Sequence, residues 1–110
     1  MIIDREDNIV IITQETATIQ QLIKKIGDSY AKFKNNNIIV NLSSLVKLKL
    51  GDVIEFLQLS NTHRKAKHTF VLVSNNFNFD DAPDEIIIVP TLQEAYDIIE
   101  MEEMERDLGF

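Results

Sequence analysis

His63 and His68 are the only histidines in the chain, five residues apart in "THRKAKH". A helical zinc site sets two imidazoles on one face four residues apart, so this pair does not fit one. No HxHxDH-like cluster is present, which excludes metallo-hydrolase chemistry of that type on this chain. Cysteine is absent, and with it thiolate nucleophiles, disulfides and Cys-type zinc sites. Asp80, Asp81, Asp84 and Glu85 gather carboxylates that can attract a divalent cation. They lack the spacing and the glycine of an EF-hand loop, and read as a solvated acidic loop. There is no G-x-x-x-x-G-K-S/T, G-x-S-x-G or G-x-G-x-x-G, and three glycines leave little material for a phosphate cradle. The residue types thus name no catalytic, cofactor-binding or metal-binding group, and the chain reads as a non-enzymatic protein.

What remains are groups able to touch a partner. In "NLSSLVKLKLGDVIEFL", Asn41 to Leu57, a strand end meets a loop and a helix start. Ser43 and Ser44 are open to modification, or they satisfy loop backbone groups. Lys47 and Lys49 alternate with Leu48 and Leu50, as on an extended edge with lysines outward and leucines inward. The lysines form either a positive spot for a partner or a plain solvated face. Gly51 is allowed at an N-cap, and Asp52 in the first turn gains about 0.3–1 kcal/mol from the helix dipole. Glu55 belongs to the outer face of the helix expected over 52–66. Arg64, in the only basic cluster, has the fork geometry to hold a partner's carboxylate. That cluster, with His63 counted as partly charged, suits a helix C-terminus.

The tail "DIIEMEEMERDLGF" is acidic, and Ile98, Met101, Met104 and Leu108 recur at helical spacing. Two readings stand. In one, residues 97–110 form an interaction helix, with Met101 and Met104 as adaptable contacts and acids steering a basic partner. In the other, the segment packs back on its own domain and Phe110 tucks in.

The positioning elements follow from apolar periodicity. "MII" and "IVIIT" flank the polar "DREDN" and predict a hairpin over 2–3 and 9–13. Ile19, Leu22, Ile23, Ile26, Tyr30 and Phe33 form a helical stripe ending near "KNNN", with a Thr18–Gln21 capping box. "IIVNL" (38–42), "TFVLV" (69–73) and "IIIV" (86–89) read as buried strands. In the middle helix Val53, Ile54 and Leu57 make the inner stripe, with Leu50 a candidate to extend it and Phe56 and Leu59 to the side. Residues 75–85 form an irregular connection with a helical turn near Asp80–Asp84. Thr91 caps a last helix whose inner face is Leu92, Ala95, Tyr96 and Ile99. The order β-β-α-β-α-β-β-α predicts one α/β domain over 1–110, a mostly parallel β-sheet flanked by helices.

At 110 residues and 45% hydrophobic, the chain can build one core. Its net charge of −7 opposes phosphate backbones, so no nucleic-acid partner is expected. The apolar runs are far shorter than the roughly 20 residues of a membrane span. No signal peptide is visible at the start. A cytoplasmic protein without a membrane partner is expected. The abundance of Asn, Ile and Lys points to an AT-rich bacterial genome.

From Ile38 to Val73 the pattern resembles a STAS domain, the fold of anti-sigma factor antagonists. "IIVNL" stands at the strand ending in an Asp- or Asn-Leu pair. "SSLVKL" stands at the segment leading to the helix, and "DVIEFLQLSNTHRKAKHTFVLVS" at the long helix and next strand. "IIIVPTLQEAYDII" resembles the STAS ending, a strand running into a Thr-capped helix with Glu-Ala. Regulatory members carry an Asp-Ser pair, a small residue and Gly at the helix start, and the Ser is phosphorylated. Lys49, Leu50, Gly51 and Asp52 stand there, so the phosphorylation motif is degenerate. The 74–86 segment is also shorter than the helix usual in that family. The resemblance implies a regulatory interaction module with a protein partner, an anti-sigma-like kinase or complex component, and allows a homodimer. An accessory domain of an enzyme is the alternative, for instance of a ribonuclease Z whose metal motif this chain lacks. A small-ligand-binding STAS domain is a further one.

Overall fold

The computed structural model describes residues 1–14, 18–45 and 48–109. Five strands form one sheet in the order of the sequence: β1 (Ile2–Glu6), β2 (Ile9–Thr13), β3 (Asn37–Asn41), β4 (Phe70–Val73) and β5 (Ile87–Val89). β1 and β2 are antiparallel, and the three remaining pairs are parallel. This is the predicted single α/β domain with a mostly parallel, helix-flanked sheet. β1 is longer than expected. The charges of "DRE" sit on the edge strand, where a solvated row of alternating side chains is tolerated, and the turn shrinks to Asp7 and Asn8. Asp7 takes φ 52, a left-handed conformation that Asp tolerates better than branched residues do.

Both crossovers from β2 to β4 move across the sheet in one direction. Right-handed connections therefore put their helices on the same face. These are α1 (Ile19–Asp28), α2 (Tyr30–Phe33), α3 (Leu50–Ile54) and α4 (Leu57–Lys65). Their buried residues Leu22, Ile26, Phe33, Val53 and Phe56 meet Val10, Ile12, Ile38, Val40, Phe70 and Leu72 of the sheet. The β4–β5 connection holds only a 3₁₀ turn at Phe79–Asp81, slightly earlier than expected, and adds Phe77 and Ile86 to this core. The opposite face is covered by α5 (Leu92–Asp107) alone, through Ala95 and Ile99 against Ile11, Ile39, Val71 and Val73.

Two helices expected as continuous are divided. The first stops at Ser29, whose backbone (φ −103, ψ 6) leaves the helical region before the α2 turn. The Thr18–Gln21 capping box forms as predicted, at 3.2 and 3.1 Å. The middle helix tightens at Phe56, whose N–H bonds back three residues to the Val53 carbonyl at 3.0 Å. That turn swings Phe56 into the core, so the buried stripe is Val53, Phe56, Ser60 and His63. The expected stripe is corrected accordingly. Leu50 and Ile54 are 42% and 45% exposed, and Leu57 is only partly buried. The polar Ser60 and His63 disguise the true inner face.

Candidate functional site

At the carboxyl end of β3 the chain turns sharply. The Asn41 side-chain oxygen accepts from the Ser43 N–H at 3.0 Å, and the Leu45 N–H returns to the Leu42 carbonyl at 3.1 Å. The Ser44 hydroxyl donates to the Gln14 carbonyl, so it satisfies backbone, one of the two roles the sequence allowed. Asn76 donates to the Leu45 carbonyl at 2.9 Å and ties the loop to the segment after β4. Lys47 lies outside the described residues. Leu48 is buried and anchors the approach to α3, while Lys49 is exposed.

The N-cap of α3 is Lys49, not Gly51. Lys has no acceptor to offer the helix. The Asp52 carboxylate instead accepts from the Lys49 N–H at 3.1 Å, in the first turn where the dipole favours an anion. Gly51 is not required by space, since a Cβ there would meet nothing within 4 Å. The expectation of an inward Leu50 fails because the chain is already helical at that residue, which turns the side chain out. Leu50 and Ile54, one helical turn apart, therefore stand together on the surface. Lys49, Asp52 and Glu55 are close to them in sequence, and Glu55 accepts from Gln20 of α1 at 3.5 Å. Lys49, Gly51, Asp52 and Glu55 thus flank in sequence an exposed apolar pair that sequence reasoning assigned to the interior, while Ser43 lies earlier, at the carboxyl end of β3. The signal for that pair was a surplus of apolar positions on α3 beyond what one face can bury.

The remaining predicted contact residues lie at the other end of the sheet. Arg64 bonds to Glu102 of α5 at 3.4 Å. Its guanidinium is thereby engaged within the chain. Met101 and Met104 are 48% and 59% exposed on α5. Between them in sequence, the inward side of α5 is polar. Glu103 accepts from Asn37 at 2.7 Å and from Asn8 at 2.9 Å, and Glu102 accepts from the Thr69 hydroxyl at 2.8 Å. Arg106 donates to Thr69 and to Asn37 at 3.2 and 3.3 Å. Residues 97–107 are thus part of α5, held over the amino ends of β3 and β4, while its methionines face out. Phe110 lies outside the described residues.

His63 is buried and does not add charge to the basic cluster as expected. Its Nε2 lies 2.6 Å from the Asn36 carbonyl, which only accepts, so Nε2 carries the proton. Nδ1 then accepts from the Tyr30 hydroxyl at 2.7 Å. Burial lowers the His63 pKa below its ordinary value, with a smaller push from His68, against a raising contribution from the Asn36 bond. The His63 and His68 rings stack with centroids 5.3 Å apart. Both nitrogens of His63 are occupied, which makes it a structural imidazole. Among the described residues no group of three or more His, Asp or Glu is placed to hold a metal ion. No helix among them is long and apolar enough to cross a membrane.

No protein-family model and no curated protein sequence matches the chain. Solved structures do resemble it. The solution structure of the protein TM1081 superposes with a TM-score of 0.66 at 19% identity, over 89% of this chain and 86% of that one. RsbS of Moorella thermoacetica, carrying a serine-to-glutamate substitution, gives 0.61 at 13% identity, over 89% and 95%. A chain from the molecular architecture of the stressosome, a signal integration and transduction hub, gives the same values. At these identities the likeness is one of fold, and the fold is STAS-like.

Proposed function

We propose that this chain is a non-enzymatic regulatory module of the anti-sigma factor antagonist kind, which docks on a protein partner through the start of α3. The observation that carries this reading is the exposed pair Leu50 and Ile54 on α3, with the charges of Lys49, Asp52 and Glu55 next to them in sequence. An apolar centre rimmed by charge is the make-up of a modest protein-binding patch. In the register that the resemblance implies, Leu50 takes the position of the phosphorylatable serine of regulatory STAS domains. A leucine accepts no phosphate, so binding here is constitutive or controlled by another route. The stressosome chain among the structural neighbours supports a complex component as partner, and a cytoplasmic setting accords with it.

Affinity capture from the native host, with the wild-type chain and with Leu50→Ser/Ile54→Ser side by side, tests the reading. A defined protein held by the wild type and lost by the variant is expected. Identical captured sets, or stoichiometric phosphate on a residue in 43–51 after incubation with ATP and candidate kinases, would overturn it.

A further inference from the structure

One helix covers a whole face of the sheet, and it leaves a groove of about 360 Å³ between α5 and the β1–β2 hairpin. Its apolar lining is Ile9, Tyr96, Ile99 and Met104. The strand register places Ile2, Asp4 and Glu6 opposite Thr13, Ile11 and Ile9, so these β1 side chains share the α5 face. Tyr96 confirms the placement, since its hydroxyl donates to Glu6 at 2.8 Å. Burial, then Glu6 and the nearby Asp4, raise its pKa. Glu100, Glu103 and Asp107 also line the groove. Arg5 points to the opposite face, over the Phe33 ring at 5.7 Å, and Arg106 turns to Thr69 and Asn37. Among the described residues Asp4, Glu100 and Asp107 make no ion pair. No Lys or Arg lines the groove, although Glu103 and Asp107 also border the adjoining recess with Lys67, His68 and Arg106, so its unshared acids are Glu100 of α5 and Asp4 of β1.

We infer that this groove is a second docking site, for a basic amphipathic segment of a partner protein that lays apolar side chains on Ile9, Tyr96 and Met104 between lysines or arginines. A second copy of this chain does not suit it. Such a copy would set Asp4, Glu100 and Asp107 against like charges, in a chain of net charge −7. The charged edge of β1 likewise discourages strand-to-strand pairing. A basic segment gains from steering by the acidic rim and from covering the exposed methionine. This site is separate from the α3 surface and does not depend on it.

The probe is a fluorescent 18-residue helical peptide of leucine and lysine, titrated into the full chain, with amide NMR shifts mapping its position. Binding is expected, with the largest shifts at Ile9, Tyr96, Glu100 and Met104, and weakening as salt rises. Glu100→Lys/Asp107→Lys is expected to weaken it about tenfold or more through like-charge contacts. Both lysines suit the C-terminal half of a helix, so the fold is kept. The charge-matched Asp84→Lys/Glu85→Lys, on exposed positions just before β5 at the sheet edge opposite β1, is expected to bind as the wild type does. Leu50→Ser/Ile54→Ser should also bind normally, which separates this inference from the α3 reading. No binding at millimolar peptide, equal loss in both lysine pairs, shifts centred on α3, or equal binding of a lysine peptide without leucine would each overturn it.

Discussion

Lowering the pH should destabilise this protein through one imidazole. His63 is fully buried, with Nε2 committed to Asn36 and Nδ1 to Tyr30. In the unfolded chain a histidine takes up a proton near pH 6.5, whereas burial holds the folded pKa below that. Between the two values the unfolded state binds more protons. Stability is therefore complete above about pH 6.5 and declines as the pH falls toward the lowered folded value. If the folded imidazole stays neutral throughout, one group removes about 1.4 kcal/mol between pH 7.5 and 5.5. With a urea slope of about 1–3 kcal/mol/M, the midpoint should drop by roughly 0.5–1.4 M. Urea melts followed by circular dichroism at pH 7.5, 6.5 and 5.5 measure this directly. His63→Leu removes the titrating group, so its melts should show that much less pH dependence. Its baseline should be lower by about 1–3 kcal/mol, because the Asn36 and Tyr30 partners are lost. A wild-type midpoint flat across this window, an equal decline in the leucine variant, or an NMR titration of His63 at or above pH 6.5 would refute the reasoning.

Phe56→Ala, at the tightened turn where the ring is buried against Phe70, should cost about 3–5 kcal/mol in chemical denaturation. Leu50→Ser/Ile54→Ser should change the unfolding free energy by less than about 0.5 kcal/mol per site, because both side chains already face water. Glu103→Ala leaves the buried Asn37 amide without its carboxylate and should destabilise by about 1–3 kcal/mol, whereas Met104→Ser should be neutral. Thermal melts of these two variants show whether α5 is held by its polar side or by its methionines.

The sheet was legible because its strands are continuous apolar runs rich in β-branched residues, and the helix starts because Thr18 and Thr91 cap them with hydroxyl oxygens. The hidden part is where polar residues take buried positions. Ser60 and His63 occupy the inner stripe of α4, so apolar counting picked Ile54 and Leu57 instead. His63 can be buried only because Tyr30 and Asn36, far off in sequence, meet its two nitrogens. The same holds for α5, whose acids at 102 and 103 look like solvated charge until Asn8, Asn37 and Thr69 are brought beneath them. Of the proposed contact residues, the chain order suggested one surface. The fold separates the described ones, with Ser43, Ser44, Lys49, Gly51, Asp52 and Glu55 following the carboxyl end of β3 and Arg64, Met101 and Met104 toward the amino ends of the strands.

The most direct measurement is photo-crosslinking in the native host from a reactive side chain placed at position 54, compared with one at exposed position 85. Docking through α3 predicts one discrete protein adduct from position 54 and none from 85. The same adduct from both positions, or none from 54 while the purified chain turns over a substrate, would contradict a protein that works by binding.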